Sequence, residues 1–275
     1  MAMKLSVSNI AWEQNKLEEH LGLLKRLECD GVEIAPSCIW REPIGVGKEE
    51  VENFKRVVSK YGLAISAFHA LLFTKPDLYL FGDKSTRQQA VLYLKRLIQL
   101  AGKLSVPVLV YGSPASRKIG NKSYETCYQI AVEVLRKLGK EAALHDTFFC
   151  IEPLGSTDGD FIQTADEAYK LIRDVGEPNF GLHLDTKAMI EMKEDFTIVF
   201  RKYASMLQHF HISEPGLAPP GYSGFDHSII GKGLAKTTYN RFISIEMRRG
   251  FGESKEVIKN AVKYVREKYL LGIVK

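Results

Sequence analysis

Eight short runs rich in β-branched and aromatic residues alternate along the chain with longer stretches whose apolar side chains recur every three or four positions. The short runs fall at Lys4 to Ser8, Gly31 to Ile34, Leu63 to Phe68, Pro107 to Tyr111, Phe148 to Glu152, Phe180 to Asp185, Leu207 to Ile212 and Phe242 to Met247, and each is read as a strand. The stretches between them are amphipathic. Ala90, Leu94, Leu97 and Ala101 form one stripe, Cys127, Ile130, Val134 and Leu138 a second, and Val257, Ile258, Ala261, Val262 and Val265 a third. Eight β-then-α units predict a closed parallel (β/α)8 barrel, with a doubly wound open sheet as the alternative. The open sheet calls for a glycine-rich dinucleotide turn after an early strand, and the first strand runs instead into Asn9, Ile10, Ala11 and Trp12. Gly231-Lys232-Gly233 reads as a turn before a short helix, a phosphate cradle being the weaker reading. No Pro/Gly/Ser-rich linker interrupts the pattern, so a single domain over residues 1–275 is expected.

Composition narrows the class without changing it. Hydrophobic residues at 45% and charged residues at 26% suit a globular protein that builds its own core. Lys and Arg number 38 against 33 Asp and Glu, and this mild excess gives no reason to expect nucleic acid as a partner. Much of it lies after residue 200, which mildly favours an anionic substrate near the late strands, although solvated helix faces explain it more simply. Cys29, Cys38, Cys127 and Cys150 show neither metal-type nor disulfide-type spacing, so reduced thiols are expected. The first ten residues lack a signal-peptide pattern and no apolar run is long enough to span a bilayer, which predicts a cytoplasmic protein with no membrane partner.

Barrel enzymes carry their chemistry at the C-terminal ends of strands. Four consecutive strands end in metal-ligand types: Cys150-Ile151-Glu152, His183-Leu184-Asp185, His209-Phe210-His211 and Ser244-Ile245-Glu246. Each ligand follows an apolar residue that alternation turns outward, so Glu152, Asp185, His211 and Glu246 are expected to converge on the barrel axis. Polar strand ends are common where a chain leaves its core, but that accounts poorly for four in succession. Three carboxylates side by side repel one another unless a cation or protons neutralise them. Three oxygen donors and one nitrogen suit one divalent ion, Mn²⁺ first, with Mg²⁺, Co²⁺ and Zn²⁺ compatible. Alternation also puts Cys150, His183, His209 and Ser244 one layer below, and His183 and His209 are candidates to orient the carboxylates.

The runs Ile151-Glu152-Pro153-Leu154, Leu182-His183-Leu184-Asp185-Thr186, His209-Phe210-His211, Gly231-x-Gly233 and Ile243-Ser244-Ile245-Glu246 together resemble the sugar phosphate isomerase/epimerase family, with its xylose-isomerase-like TIM barrel. Its members include ketose 3-epimerases, hydroxypyruvate isomerase and inosose dehydratase. The resemblance covers essentially the whole chain and extends to Asp30-Gly31-Val32-Glu33 and to His69, positions where relatives place substrate-facing groups. It implies that the four ligands hold the metal, that Glu152 and Glu246 double as an acid–base pair, and that a ketose or related α-hydroxycarbonyl reacts by proton transfer through a metal-bound enediolate. A sugar or polyol is then the partner, and a homo-oligomer is compatible.

Two departures concern the substrate. Relatives often carry a histidine three residues after the metal-binding aspartate, where this chain has Ala188, and an arginine soon after the metal histidine, where it has Ser213-Glu214-Pro215-Gly216-Leu217. Lys187, and Arg248 or Arg249, are candidates to replace them, and Asp158 lies in the loop where some relatives place a substrate-contacting acid. The main alternative is a metal-dependent dehydratase or lyase on a polyol or keto-acid, since it shares the proton abstraction. An apurinic-endonuclease-like phosphodiesterase is disfavoured, because Tyr111 and Ala188 stand where further ligands are needed and Asp226-His227 are adjacent. An inactive sugar-binding barrel is the remaining reading.

Overall fold

Alternation decides which side of each strand is dry. Leu5, Val7, Ile151, Leu184, Phe210 and Ile245 all lie in one continuous apolar layer between strands and helices. In the computed structural model, which describes residues 3–271, the strands pair in parallel in sequence order. They are β1 (Lys4–Ser8), β2 (Gly31–Ile34), β3 (Ala64–Phe68), β4 (Val108–Tyr111), β5 (Phe148–Ile151), β6 (Phe180–Asp185), β7 (Leu207–Ile212) and β8 (Phe242–Ile245). β8 returns to β1, with Lys4 opposite Phe242 and Val7 opposite Ile245, so the sheet closes and no edge is left unpaired. The open-sheet alternative is thereby excluded.

The helices are α1 (Leu17–Arg26), α2 (Lys48–Lys60), α3 (Lys84–Lys103), α4 (Tyr124–Ala143), α5 (Ala165–Val175), α6 (Thr186–Glu191), α7 (Phe196–Tyr203), α8 (Ser228–Ala235) and α9 (Ser254–Val265). Their expected stripes are buried, Ala90, Leu94, Leu97 and Ala101 on α3, Cys127, Val134 and Leu138 on α4, and Ile258, Ala261, Val262 and Val265 on α9, while Ile130 and Val257 are half-buried. Asp83, Ser123 and Thr164 start α3, α4 and α5 by accepting a hydrogen bond from the third residue on. Gly231 and Gly233 correct an expectation, because they lie inside α8 rather than in a turn before it. A Cβ on Gly231 would overlap the Lys268 carbonyl oxygen, so glycine there lets α8 lie against the segment Arg266–Leu271. Among the described residues no helix is long and apolar enough to cross a membrane, and all four cysteines are free.

The barrel interior is divided. Ala67, Val108, Val110 and Cys150 pack together under β3 to β5. On the other side Ser6, Glu33, His183, His209 and Ser244 are all buried. Glu33 on β2 bonds to His209 on β7, and these strands are not neighbours, so the bond crosses the interior. Polar side chains inside a barrel are costly unless they bond one another, and this side leads up to the candidate site.

Candidate metal centre

Glu152, Asp185, His211 and Glu246 come from the ends of β5 to β8, and one ligand atom of each lies within 4.8 Å of all the others. His211 Nδ1 is 3.3 Å from Glu246 Oε2, 3.7 Å from Asp185 Oδ2 and 4.0 Å from Glu152 Oε1. Each side chain is aimed by its neighbours. Asp185 caps α6 through the Ala188 amide, and Ser213 Oγ lies 2.7 Å from both of its oxygens. Thr186 Oγ1 donates to the Ser213 carbonyl at 2.6 Å and accepts from the Ser213 amide at 2.8 Å, clamping the ends of β6 and β7 together. Glu246 Oε1 is 3.0 Å from His69 Nδ1, and His69 Nε2 is 2.6 Å from Ser8 Oγ. Arg117, buried in the turn after β4, donates to the Glu152 carbonyl oxygen. Gly112 leaves room for the Glu152 carboxylate, which a Cβ at that position would overlap.

The electrostatics follow from the crowding. Burial, followed by the charges of Asp185 and Glu246, pushes the Glu152 carboxyl up to about 8. Burial and Glu246 push Asp185 up to about 6. Burial would also raise Glu246, but His211 and His69 outweigh it and hold that carboxyl well below its ordinary range. His211 in turn is held well above its ordinary range by Glu33 and Glu246, against burial. Without a metal, protons do the neutralising. The fit to a cation rests on His211 Nδ1, which is buried, has no hydrogen-bond partner among the described residues and faces three carboxylates. That donor set is one a divalent ion would satisfy.

Several expected contacts lie elsewhere. Glu33 is fully buried and accepts hydrogen bonds from His209, His211 and Ser244, so both of its oxygens are engaged inside the barrel. Both ring nitrogens of His69 are engaged, by Ser8 and by the carboxylate of Glu246. His183 Nε2 comes only to 3.7 Å from Glu152 and its ring packs edge-on against His211 at 4.2 Å, while His209 reaches Glu33 and none of the three clustered carboxylates. Lys187 and Asp158 are bonded to each other, with Glu191 3.7 Å from Lys187, tying the loop after β5 to α6. Arg248 is exposed at the rim, on the Gly216 carbonyl and over the Phe251 ring, and Arg249 is exposed beside it. Of the late basic residues, Lys268 pairs with Asp226 at 3.0 Å and Arg266 holds the Leu27 carbonyl at 2.7 Å. His227 is buried between Glu214 and Tyr269, away from the ligands. Ser8 and Ser213 were open to discovery, since alternation turns both inward at strand ends. Gly112 and Arg117 carried no such signal, as each acts from a loop.

This chain belongs to the xylose isomerase-like TIM barrel family, whose profile matches residues 21–268. Among individual relatives, it is 22% identical over 242 residues to a D-psicose 3-epimerase of Enterocloster bolteae, covering 86% of this chain and 79% of that enzyme. Hydroxypyruvate isomerase of Escherichia coli is 26% identical over 156 residues, 56% of this chain and 58% of that one. The structure of D-psicose 3-epimerase with D-tagatose from Clostridium cellulolyticum H10 superposes with a TM-score of 0.83 at 20% identity, covering 97% of this chain and 99% of that one.

Proposed function

We propose that this protein is a divalent-metal-dependent sugar epimerase or isomerase, acting on a ketose or related α-hydroxycarbonyl by proton transfer through an enediolate. The observation that carries the reading is the convergence of Glu152 and Glu246 from β5 and β8 on the cluster completed by Asp185 and His211. A cation held by these four residues supplies Lewis acidity, lowering the cost of removing a proton beside a carbonyl. Mn²⁺ is the first choice for the three-oxygen, one-nitrogen donor set. Glu152 and Glu246 then act as base and acid, one removing the C–H proton and the other returning a proton to the opposite face or the neighbouring carbon. The two differ in support, Glu246 being braced by His69 while His183 stays 3.7 Å from Glu152. Lys187 and Asp158, tied across the loop after β5, and Arg248 on the rim are the groups proposed to contact substrate hydroxyls. The names of the relatives, D-psicose 3-epimerases among them, support a ketose.

The test is incubation of the Mn²⁺-treated protein with D-fructose, D-psicose and D-tagatose in D₂O, followed by NMR. Deuterium entering at the carbon beside the carbonyl, with the epimer or isomer accumulating, is expected. Formation of a dehydrated product transfers the protein to the lyases, and absence of exchange with every α-hydroxycarbonyl tried removes the reading.

A further inference from the structure

Glu33 belongs to neither the ligand cluster nor the substrate groups, yet it is among the most thoroughly engaged side chains in the interior. It is fully buried at the end of β2. Its Oε1 lies 2.8 Å from His211 Nε2 and 3.1 Å from His209 Nε2, and its Oε2 accepts from Ser244 Oγ at 2.5 Å. These partners stand on β7 and β8, across the barrel from β2. A carboxylate only accepts, so both imidazoles must present an Nε2–H to it. For His211 this choice has a consequence at the other side of the ring. With one proton kept on Nε2, the proton that a cation would displace is the one on Nδ1, the nitrogen aimed among Glu152, Asp185 and Glu246.

We propose that Glu33 is the positioning residue of the metal centre, fixing the tautomer and ring orientation of His211 so that Nδ1 is delivered to the cation. The inference rests on the metal reading above and adds a residue to it. Histidine ligands generally donate their second N–H to such a group, and losing it weakens metal affinity about 10- to 100-fold. Here the bond is more constrained than that rule requires. His209 and Ser244 hold the carboxylate in place from two further directions, so the Glu33 oxygen that meets His211 has little freedom to follow a rotated ring.

Two measurements test this. First, Mn²⁺ affinity is compared by titration, following the EPR signal of free Mn²⁺, for the wild type, Glu33→Gln and Glu33→Ala. The alanine variant is expected to bind about 10- to 100-fold more weakly, and the glutamine variant, which keeps the volume and one acceptor, to fall between. Second, the ¹⁵N-histidine spectrum of the Mg²⁺-saturated wild type is expected to show His211 protonated on Nε2 alone, and this needs no variant to fold. Variants that melt earlier yet bind Mn²⁺ within twofold of the wild type give Glu33 a purely structural role and overturn the inference, as does a His211 protonated on Nδ1. A wild type that binds no divalent ion overturns the metal reading as well, which tells the two failures apart.

Discussion

Gly112 stands where β4 hands over to its loop, and any side chain there would occupy the volume that the Glu152 carboxylate fills. The requirement concerns room and not backbone freedom. Gly112→Ala must therefore swing Glu152 away from Asp185, His211 and Glu246, or shift the end of β4. The expected result is a native far-UV spectrum with Mn²⁺ affinity reduced at least tenfold, as for other disturbed ligand supports. Unchanged affinity in that variant would show that Glu152 is not held over Gly112 in solution. Arg117 poses a related question, since it is buried with Nε and Nη1 unpartnered among the described residues while it holds the Glu152 carbonyl. Ordered water is the ordinary way to satisfy such groups.

At the scale of elements, the ligands are carried by strands and their aim is set by what the strands run into. Asp185 is both a ligand candidate and the first cap of α6, so the start of that helix and the metal centre share one carboxylate. The loop after β7 is organised separately, by Glu214 accepting from the Gly221 amide at 2.5 Å, the Ser223 amide at 2.6 Å and His227 at 3.2 Å. His227 continues to Tyr269 at 2.8 Å, which connects that loop to the C-terminal segment against which α8 packs. Gly231 makes the packing possible, so Gly231→Val is expected to destabilise by about 1 to 3 kcal/mol through overpacking against backbone. Calorimetry should show Tm falling by several degrees, with the Mn²⁺ affinity of the folded variant near that of the wild type. A loss of affinity equal to that of Gly112→Ala would mean that α8 and the metal centre are coupled more tightly than these contacts imply.

At the scale of the molecule, closure of the barrel brings three carboxylates together, and their protons couple stability to pH and metal. Glu152 at about 8 and Asp185 at about 6 hold protons in the folded protein that an unfolded chain releases near pH 4. At these two groups the folded state therefore binds more protons across this window, and their contribution to stability falls as pH rises through 6 and 8. His211, raised well above its ordinary range, adds a loss of the same sign. His183 and His209, held below their ordinary range chiefly by burial, act in the opposite sense below about pH 6.5, so metal-stripped protein is expected to lose Tm as pH rises from about 6.5 to 8.5. At pH 8, Mn²⁺ at 100 times its Kd should restore about 2.7 kcal/mol. A stripped protein whose Tm is flat over that range, and which Mn²⁺ leaves unmoved, would contradict the site's electrostatics. Much of this was legible in the chain. Strand alternation, eightfold recurrence and an apolar residue before each candidate pointed Glu152, Asp185, His211 and Glu246 inward, because these depend on local periodicity; the strand ends fall within two residues of those expected and the four side chains lie together. The roles of Glu33, His69, Ser8, Gly112 and Arg117 depended instead on which strands face each other across a closed barrel and which loop lies over which carboxylate. Those are distances between residues far apart in sequence, and only the tertiary structure decides them.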